Sequence, residues 1–121
     1  MITITLQGEP PSNNHIYRSA CRGRFPTTYL THEGREQKAD YTLQAKWQYK
    51  GQPLSGDIIL TAAVYFKTKR KRDLDNTMKL VQDALNDVLW EDDSQIADLH
   101  LIRRYDPEDP RIVLSVDHLP A

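Results

Sequence analysis

The fold of this chain depends on residues 57–66, which read DIILTAAVYF. β-Branched and aromatic residues dominate this run, and both of its alternating faces are largely apolar, which is typical of a central strand covered on two sides. Residues 67–76, which read KTKRKRDLDN, follow it directly. The chain therefore places an apolar strand immediately before a cluster of cations and carboxylates.

Three further strands are expected around this central one. Residues 2–7 alternate apolar and polar side chains, which predicts a half-buried strand. Residues 95–104 and 111–116 have strand character and are separated by the turn sequence DPEDP at residues 106–110. The spacing predicts that these last two strands pair as a hairpin.

Two helices are predicted between the strands. Residues 31–50 are polar, with Ala39, Leu43 and Trp47 at helical spacing, which predicts a helix that is capped by Thr31 and buried along that narrow stripe. Residues 75–89 carry a stronger apolar pattern that predicts a helix lying on the sheet. Its apolar positions are Met78, Val81, Leu85 and Val88.

The predicted order of elements is β-α-β-α-β-β. Without an internal repeat or a linker, that order favours an α+β fold: a small two-layer domain in which helices pack on a mixed β-sheet. A length of 121 residues predicts a single domain over residues 1–121.

Composition narrows the classes of protein. The net charge is -1, so an interaction with nucleic acid has to be argued from where the cations lie. Cys21 is the only cysteine, which excludes an intramolecular disulfide and a cysteine-based zinc cluster. The amino terminus lacks the pattern of a signal peptide, and no apolar run is long enough to span a bilayer. A soluble cytoplasmic protein is expected.

Asp73 and Asp75 form the pair of carboxylates that draws attention to residues 67–76. Like charges this close resist simultaneous ionisation unless a cation lies between them. If the strand continued as far as Asp73, the two side chains would project from the same side of it. The preceding cations attract polyanions, so the combination predicts phosphodiester chemistry at a metal site.

Two further groups can complete such a site. Lys79 lies four residues after Asp75, one helical turn along the same face, where it can contact a phosphate. The acidic sequence at residues 91–93 arrives in the loop before the next strand. Three carboxylates from separate elements suit Mg²⁺ or Mn²⁺.

Each of these features also has a simpler interpretation. Asp73 or Asp75 can cap the following helix, and Lys79 can be a solvated residue or an ion-pair partner. Asp92 and Asp93 can be turn or cap residues, and the basic run can be a charged strand end that discourages edge pairing. Residues 73–77 also match the DxDxT pattern of haloacid-dehalogenase-like phosphatases, but the intervening basic residues and the short remaining chain exclude that fold.

An ordered set of short motifs spans nearly the whole chain. They are PPSNN at residues 10–14 with Tyr17, RDLDN at 72–76, Lys79, DAL at 83–85, Trp90, and Asp92 and Asp93 with Gln95. Together they resemble the RusA family of Holliday-junction resolvases, which are small dimeric endonucleases of bacteria and their phages.

The resemblance implies that Asp73, Asp75 and Asp93 are both catalytic and metal-binding, and that Lys79 is the catalytic lysine. Asp92 is the weaker candidate of its pair, and Asp83 is a candidate assisting group. The expected cofactor is Mg²⁺, with Mn²⁺ as a substitute. The metal would activate water for attack on the phosphodiester.

The resemblance also implies the partners of the chain. A homodimer is expected to cut a four-way DNA junction by paired symmetric nicks, with no membrane involved, in a bacterial or phage-infected cell. Two alternatives stay open, a non-catalytic protein that binds branched DNA and a metal-dependent nuclease for other DNA or RNA structures. The candidate DNA-binding residues are Lys67, Lys69, Arg70, Lys71 and Arg72.

Overall fold

The computed structural model describes residues 1–11, 17–22, 25–70 and 74–120, with backbone alone for residues 17–22, 25–28, 75 and 76. The main sheet has four strands in the order β1-β6-β4-β5, and β2 and β3 form a separate hairpin. No helix in these ranges is long and apolar enough to cross a membrane. The elements in chain order are β1 (Ile2–Gln7), β2 (Tyr17–Arg22), β3 (Phe25–Leu30), α1 (His32–Gln48), β4 (Ile58–Phe66), α2 (Leu74–Leu85), a 3₁₀ helix (Asp93–Gln95), β5 (Ile96–Tyr105) and β6 (Arg111–His118).

The predicted α+β class is confirmed, and the sheet is mixed because β4 pairs in parallel with β5 and antiparallel with β6. β4 lies inside the sheet, as its apolar sequence indicates. One face of β4 is fully buried, but residues on the other face, including Ile59 and Ala63, are only half-buried. The prediction that both faces are covered is therefore wrong for a single chain. The buried face consists of Ile58, Leu60, Ala62, Val64 and Phe66.

The strands at residues 95–104 and 111–116 exist, but they do not pair as the predicted hairpin. β6 lies between β1 and β4, and β5 lies at the edge on the far side of β4. The burial of side chains explains the order: alternate residues of β6, namely Ile112, Leu114 and Val116, are fully buried, whereas β5 is mostly exposed. The more apolar strand occupies the interior of the sheet.

α1 begins at the predicted N-cap, since the Thr31 hydroxyl accepts a hydrogen bond from the Gly34 N–H at 3.1 Å. The predicted apolar stripe is wrong. Leu43 and Trp47 are 58% and 73% exposed, whereas Tyr41 is buried. The helix packs instead through the face that carries Gly34, Tyr41 and Ala45.

Glutamine side chains account for the orientation of α1. The Gln48 amide accepts from the Thr5 N–H at 2.8 Å and donates to the Thr5 carbonyl at 2.7 Å. Gln44 makes the same pair of bonds with Gln7, at 2.7 and 3.3 Å. These amides satisfy edge groups of β1 that would otherwise lack partners within the sheet. These glutamines therefore hold α1 beside the edge of β1, while Tyr41 and Ala45 face the core.

α2 carries the predicted buried face, with Met78, Val81 and Leu85 all buried. It ends earlier than predicted, since Asp87 follows in the left-handed region at φ 66°. The loop after α2 turns back, and the Trp90 indole donates to the Asn86 side chain at 2.7 Å.

Candidate functional site

Asp75 lies in the first turn of α2, where a carboxylate interacts favourably with the helix dipole. β4 ends at Phe66, and residues 67–70 are not strand, so the predicted extension of the strand to Asp73 is wrong. Asp73 itself lies outside the described residues, as does the Asp75 side chain. Whether the two carboxylates converge therefore stays a prediction.

Exposed cations gather where β4 and β5 end. Of the five predicted DNA-binding residues, Lys67, Lys69 and Arg70 are described and exposed, whereas Lys71 and Arg72 fall outside the described ranges. β5 runs parallel to β4 and ends beside it, adding Arg103 and Arg104. Positive charge is thus concentrated at one end of the sheet, although the chain as a whole has a net charge of -1.

Residues 9–11, which include the first two residues of the PPSNN motif, are held against this same end. Glu9 accepts a hydrogen bond from the Lys67 N–H at 3.1 Å, and its carbonyl accepts from the Gln37 side chain at 3.2 Å. The Thr77 hydroxyl donates to the Pro11 carbonyl at 3.2 Å. Residues 9–11 therefore link the end of β4, α1 and the first turns of α2.

Thr77 and Glu9 were not among the predicted site residues. A signal for Thr77 was present, because it lies four residues before Val81 and hence on the apolar face of α2. A hydroxyl on a buried face needs a hydrogen-bond partner. Glu9 gave no comparable signal, since its contacts join positions that are remote in the sequence.

Thr77→Val should destabilise the protein. Thr77 is 1% exposed, and valine would leave the Pro11 carbonyl without its donor at a cost of about 1–3 kcal/mol. Urea unfolding would measure the loss, with Thr77→Ser as the variant that keeps the hydroxyl. A Thr77→Val protein as stable as the wild type would show that this hydrogen bond does not contribute.

Lys79 lies one turn after Asp75 on α2, and its side chain is exposed. The predicted helical spacing between these two residues is therefore present in the structure. Asp83 lies farther along the same helix and is half-buried.

Asp92 and Asp93 have different structural positions. Asp92 is the N-cap of the 3₁₀ helix, accepting from the Ser94 N–H at 3.1 Å, while Gln95 accepts from the Asp92 N–H at 2.8 Å. Hydrogen bonds with Ser94, chiefly with its side chain and then with its backbone N–H, lower the pKa of the Asp92 carboxyl. Asp93 is the first residue of the helix and is half-buried. Asp92 thus acts as a cap, and the role of Asp93 as a metal ligand stays a prediction.

Asp93 lies beside the beginning of β4. The Gln95 side chain donates to the Leu54 carbonyl at 2.9 Å, four residues before β4 starts. Ile96 then pairs with Ile58, the first residue of that strand. Asp93 is therefore positioned at the end of the sheet opposite to the cluster of cations.

Asp75 lies at the start of α2, whereas Asp93 follows the loop after the end of that helix. The nearby Thr77 contacts Pro11, in the same short segment whose Glu9 contacts the residue that follows β4. α2 has 12 residues and so spans about 18 Å at 1.5 Å per residue. Oxygens that share one Mg²⁺ each lie about 2 Å from the ion. A single chain does not bring Asp93 to the Asp75 end of the helix.

The chemistry of the predicted metal ligands suits Mg²⁺, because all three are carboxylates and Mg²⁺ prefers oxygen donors. Among the side chains that the structure describes, no group of three His, Cys, Asp or Glu residues is placed to hold a metal ion. Asp73 and Asp75 do not belong to that described set. Within one chain, Asp93 and the backbone of Asp75 lie towards opposite ends of the sheet.

Comparison with known proteins gives one consistent family. A family model described as Endodeoxyribonuclease RusA matches residues 7–117. Crossover junction endodeoxyribonuclease RusA of Shigella sonnei strain Ss046 is 30% identical over 118 residues, which are 97% of this chain and 94% of that protein. The protein of that name from Escherichia coli strain K12 has the same identity and coverage. Its namesake from Enterobacteria phage 82 is 29% identical over 111 residues, 91% of this chain and 89% of the relative. The chain belongs to the RusA family of endodeoxyribonucleases.

Proposed function

We propose that this protein is a metal-dependent endodeoxyribonuclease that resolves four-way DNA junctions by paired symmetric nicks. The observation that carries the proposal is the placement of exposed cations beside the Asp75-bearing start of α2, on a chain with almost no net charge. Cations at that position attract the phosphate backbone to the carboxylates. The family and the names of its relatives support the same substrate.

We propose further that the protein acts as a homodimer whose two sites are each completed by both copies. The support is the separation of Asp93 from Asp75 along α2, which a single chain does not overcome. If Asp93 of one copy meets Asp75 of the other across a two-fold axis, the symmetry makes the same contact a second time. Two equivalent sites suit a four-way junction, which has approximate two-fold symmetry itself.

The catalytic roles follow from the chemistry of each side chain. Asp73, Asp75 and Asp93 would hold Mg²⁺, for which Mn²⁺ is a substitute, and the bound ion supplies water activation and neutralisation of the phosphodiester. Lys79 donates hydrogen bonds to a phosphate oxygen and stabilises the charge that develops there. Departure of a 3′ hydroxyl leaves a nick that a ligase can seal.

A panel of synthetic substrates tests this proposal. Four-way junction, duplex, flap and single-stranded DNA, with an RNA strand of the same sequence, would be incubated with the protein with and without Mg²⁺. Paired cuts in the junction that need Mg²⁺ are expected. Binding without any cutting would favour a non-catalytic protein for branched DNA, and preferential cutting of flaps or RNA would favour a nuclease for other structures.

The oligomeric state is tested separately by sedimentation at micromolar concentration, where a dimer is expected. A monomer at that concentration would contradict the shared site. We also propose the cytoplasm of a bacterium, or of a phage-infected bacterium, as the location, since the relatives come from bacteria and a phage.

The described cations should make junction binding strongly dependent on salt. Replacing Lys67, Lys69 and Arg70 with glutamine should reduce the slope of log affinity against log salt by about 0.9 for each phosphate contact that is lost. Fluorescence anisotropy at several NaCl concentrations would measure the slope. The control is glutamine at Lys46, in the last turn of α1, and at Lys50, two residues after that helix ends; Gln37, which contacts Glu9, lies near its start. An unchanged slope in the triple variant would contradict the proposed interface.

A further inference from the structure

A cleft of about 290 Å³ opens between the ends of β4 and β5. Both strands deliver cations to it, because they run in parallel and end side by side. The cleft lies at the same end of the sheet as the start of α2. Its lining residues are Phe66, Thr68, Lys69, Arg70, Arg103, Arg104 and Tyr105.

The lining has an unusual composition for the surface of a chain with a net charge of -1. Four of its residues are cations, and no carboxylate among the described residues lines it. Asp106, the residue that follows β5, accepts a hydrogen bond from Arg111 at 2.9 Å. Its negative charge is therefore offset by a cation outside the cleft.

Tyr105 places an aromatic ring among these cations. The ring is 47% exposed, and the Lys69 ammonium lies 5.3 Å from its centroid. A ring of this kind supplies a flat apolar surface on which a nucleobase can stack, while neighbouring cations bind the phosphates on either side of that base. The cleft thus combines both chemical groups that recognise a single-stranded nucleotide.

We infer that this cleft binds an unpaired nucleotide, with its base on Tyr105 and its phosphates on Arg104 and the neighbouring cations. Base faces inside a duplex are covered by the adjacent base pairs, so a stacking site distinguishes unpaired from paired DNA. At the centre of an open four-way junction, the base pairs next to the point of strand exchange lack a stacking neighbour on one side. The inference rests on the proposed function, for which the cleft supplies selectivity for branched over linear DNA.

Tyr105→Leu tests the stacking contact. Anisotropy titrations in EDTA, which prevents cutting, would use labelled single-stranded DNA, a four-way junction and a blunt duplex. Removal of one base–aromatic stack should weaken single-strand binding by between about fivefold and about a hundredfold. Tyr105→Phe should bind like the wild type, because it keeps the ring. Tyr29→Leu removes another half-exposed tyrosine, away from the cleft, and should also have no effect.

Arg104→Gln tests the phosphate contact without changing the ring. It should lower the salt slope of single-strand binding by about 0.7, the value for one phosphate contact to a single strand. Equal losses of single-strand and duplex binding in Tyr105→Leu would overturn the stacking role and leave only a surface for phosphates. Unchanged single-strand binding in Tyr105→Leu would overturn the whole inference.

The two proposals can fail separately. A wild-type protein that cuts junctions, together with a Tyr105→Leu variant of unchanged affinity, would remove the cleft from the account and leave the endonuclease. A wild-type protein that cuts none of the substrates, but loses single-strand affinity in Tyr105→Leu, would overturn the endonuclease and leave the cleft.

Discussion

Asp75→Asn should abolish the cutting of four-way junctions while junction binding is kept or becomes tighter. Asparagine has nearly the same shape but lacks the negative charge that a divalent cation needs, so the rate should fall at least about a hundredfold. Binding should survive because loss of a carboxylate reduces repulsion of the phosphates. Cutting would be measured with labelled junctions in Mg²⁺, and binding with the same junctions in EDTA.

Asp98→Asn is the matched control for this substitution. Asp98 is an exposed carboxylate on β5 that pairs with His100 at 3.1 Å, away from the start of α2. It should cut junctions like the wild type. If Asp75→Asn also cut junctions at the wild-type rate, the assignment of Asp75 to the catalytic site would be wrong.

A mixture of two inactive proteins should recover cutting if each site is shared between copies. Asp75→Asn and Asp93→Asn should both be inactive alone. In a mixed dimer, one site receives both substitutions, whereas the other combines an intact Asp75 from one chain with an intact Asp93 from the other. That dimer therefore has one complete site.

A supercoiled plasmid with an extruded four-way junction distinguishes the outcomes. The wild type should make paired nicks and yield linear DNA, whereas the mixture should make single nicks and yield open circles. Asp75→Asn mixed with the double variant Asp75→Asn/Asp93→Asn has no complete site in any pairing and should be inactive. Mixtures of the two single variants that stay inactive, despite exchange of subunits, would contradict the shared site.

Local patterns predicted much of the framework. The run of β-branched and aromatic residues at 57–66 predicted β4, and Thr31 was identified as the cap of α1. These features depend on neighbours in the sequence, so local chemistry was sufficient. The inward face of α1 was predicted wrongly, because it is decided by Gln44 and Gln48 meeting the edge of β1, a contact between remote segments.

The candidate site shows the same division. Helical spacing predicted that Lys79 lies on the same helical face as Asp75. The motifs identified the acidic pair after Trp90 as candidate site residues. The sequence allowed either Asp92 or Asp93 to be a turn or cap residue. That Asp92 is the cap of the 3₁₀ helix depends on the backbone conformation of the next residues. The sequence did not reveal that β5 ends beside β4, which creates the cleft around Tyr105.

The amino-acid sequence by itself determined the four strands of the main sheet and the two helices, the residues that carry charge, and the family that the chain resembles. Only the tertiary structure decided which ends of those elements meet. Because α2 returns from the end of β4 towards its beginning, it separates Asp75 from Asp93 by nearly the length of the helix. The direction of this crossover is the physical reason for proposing that a second copy of the chain completes each site.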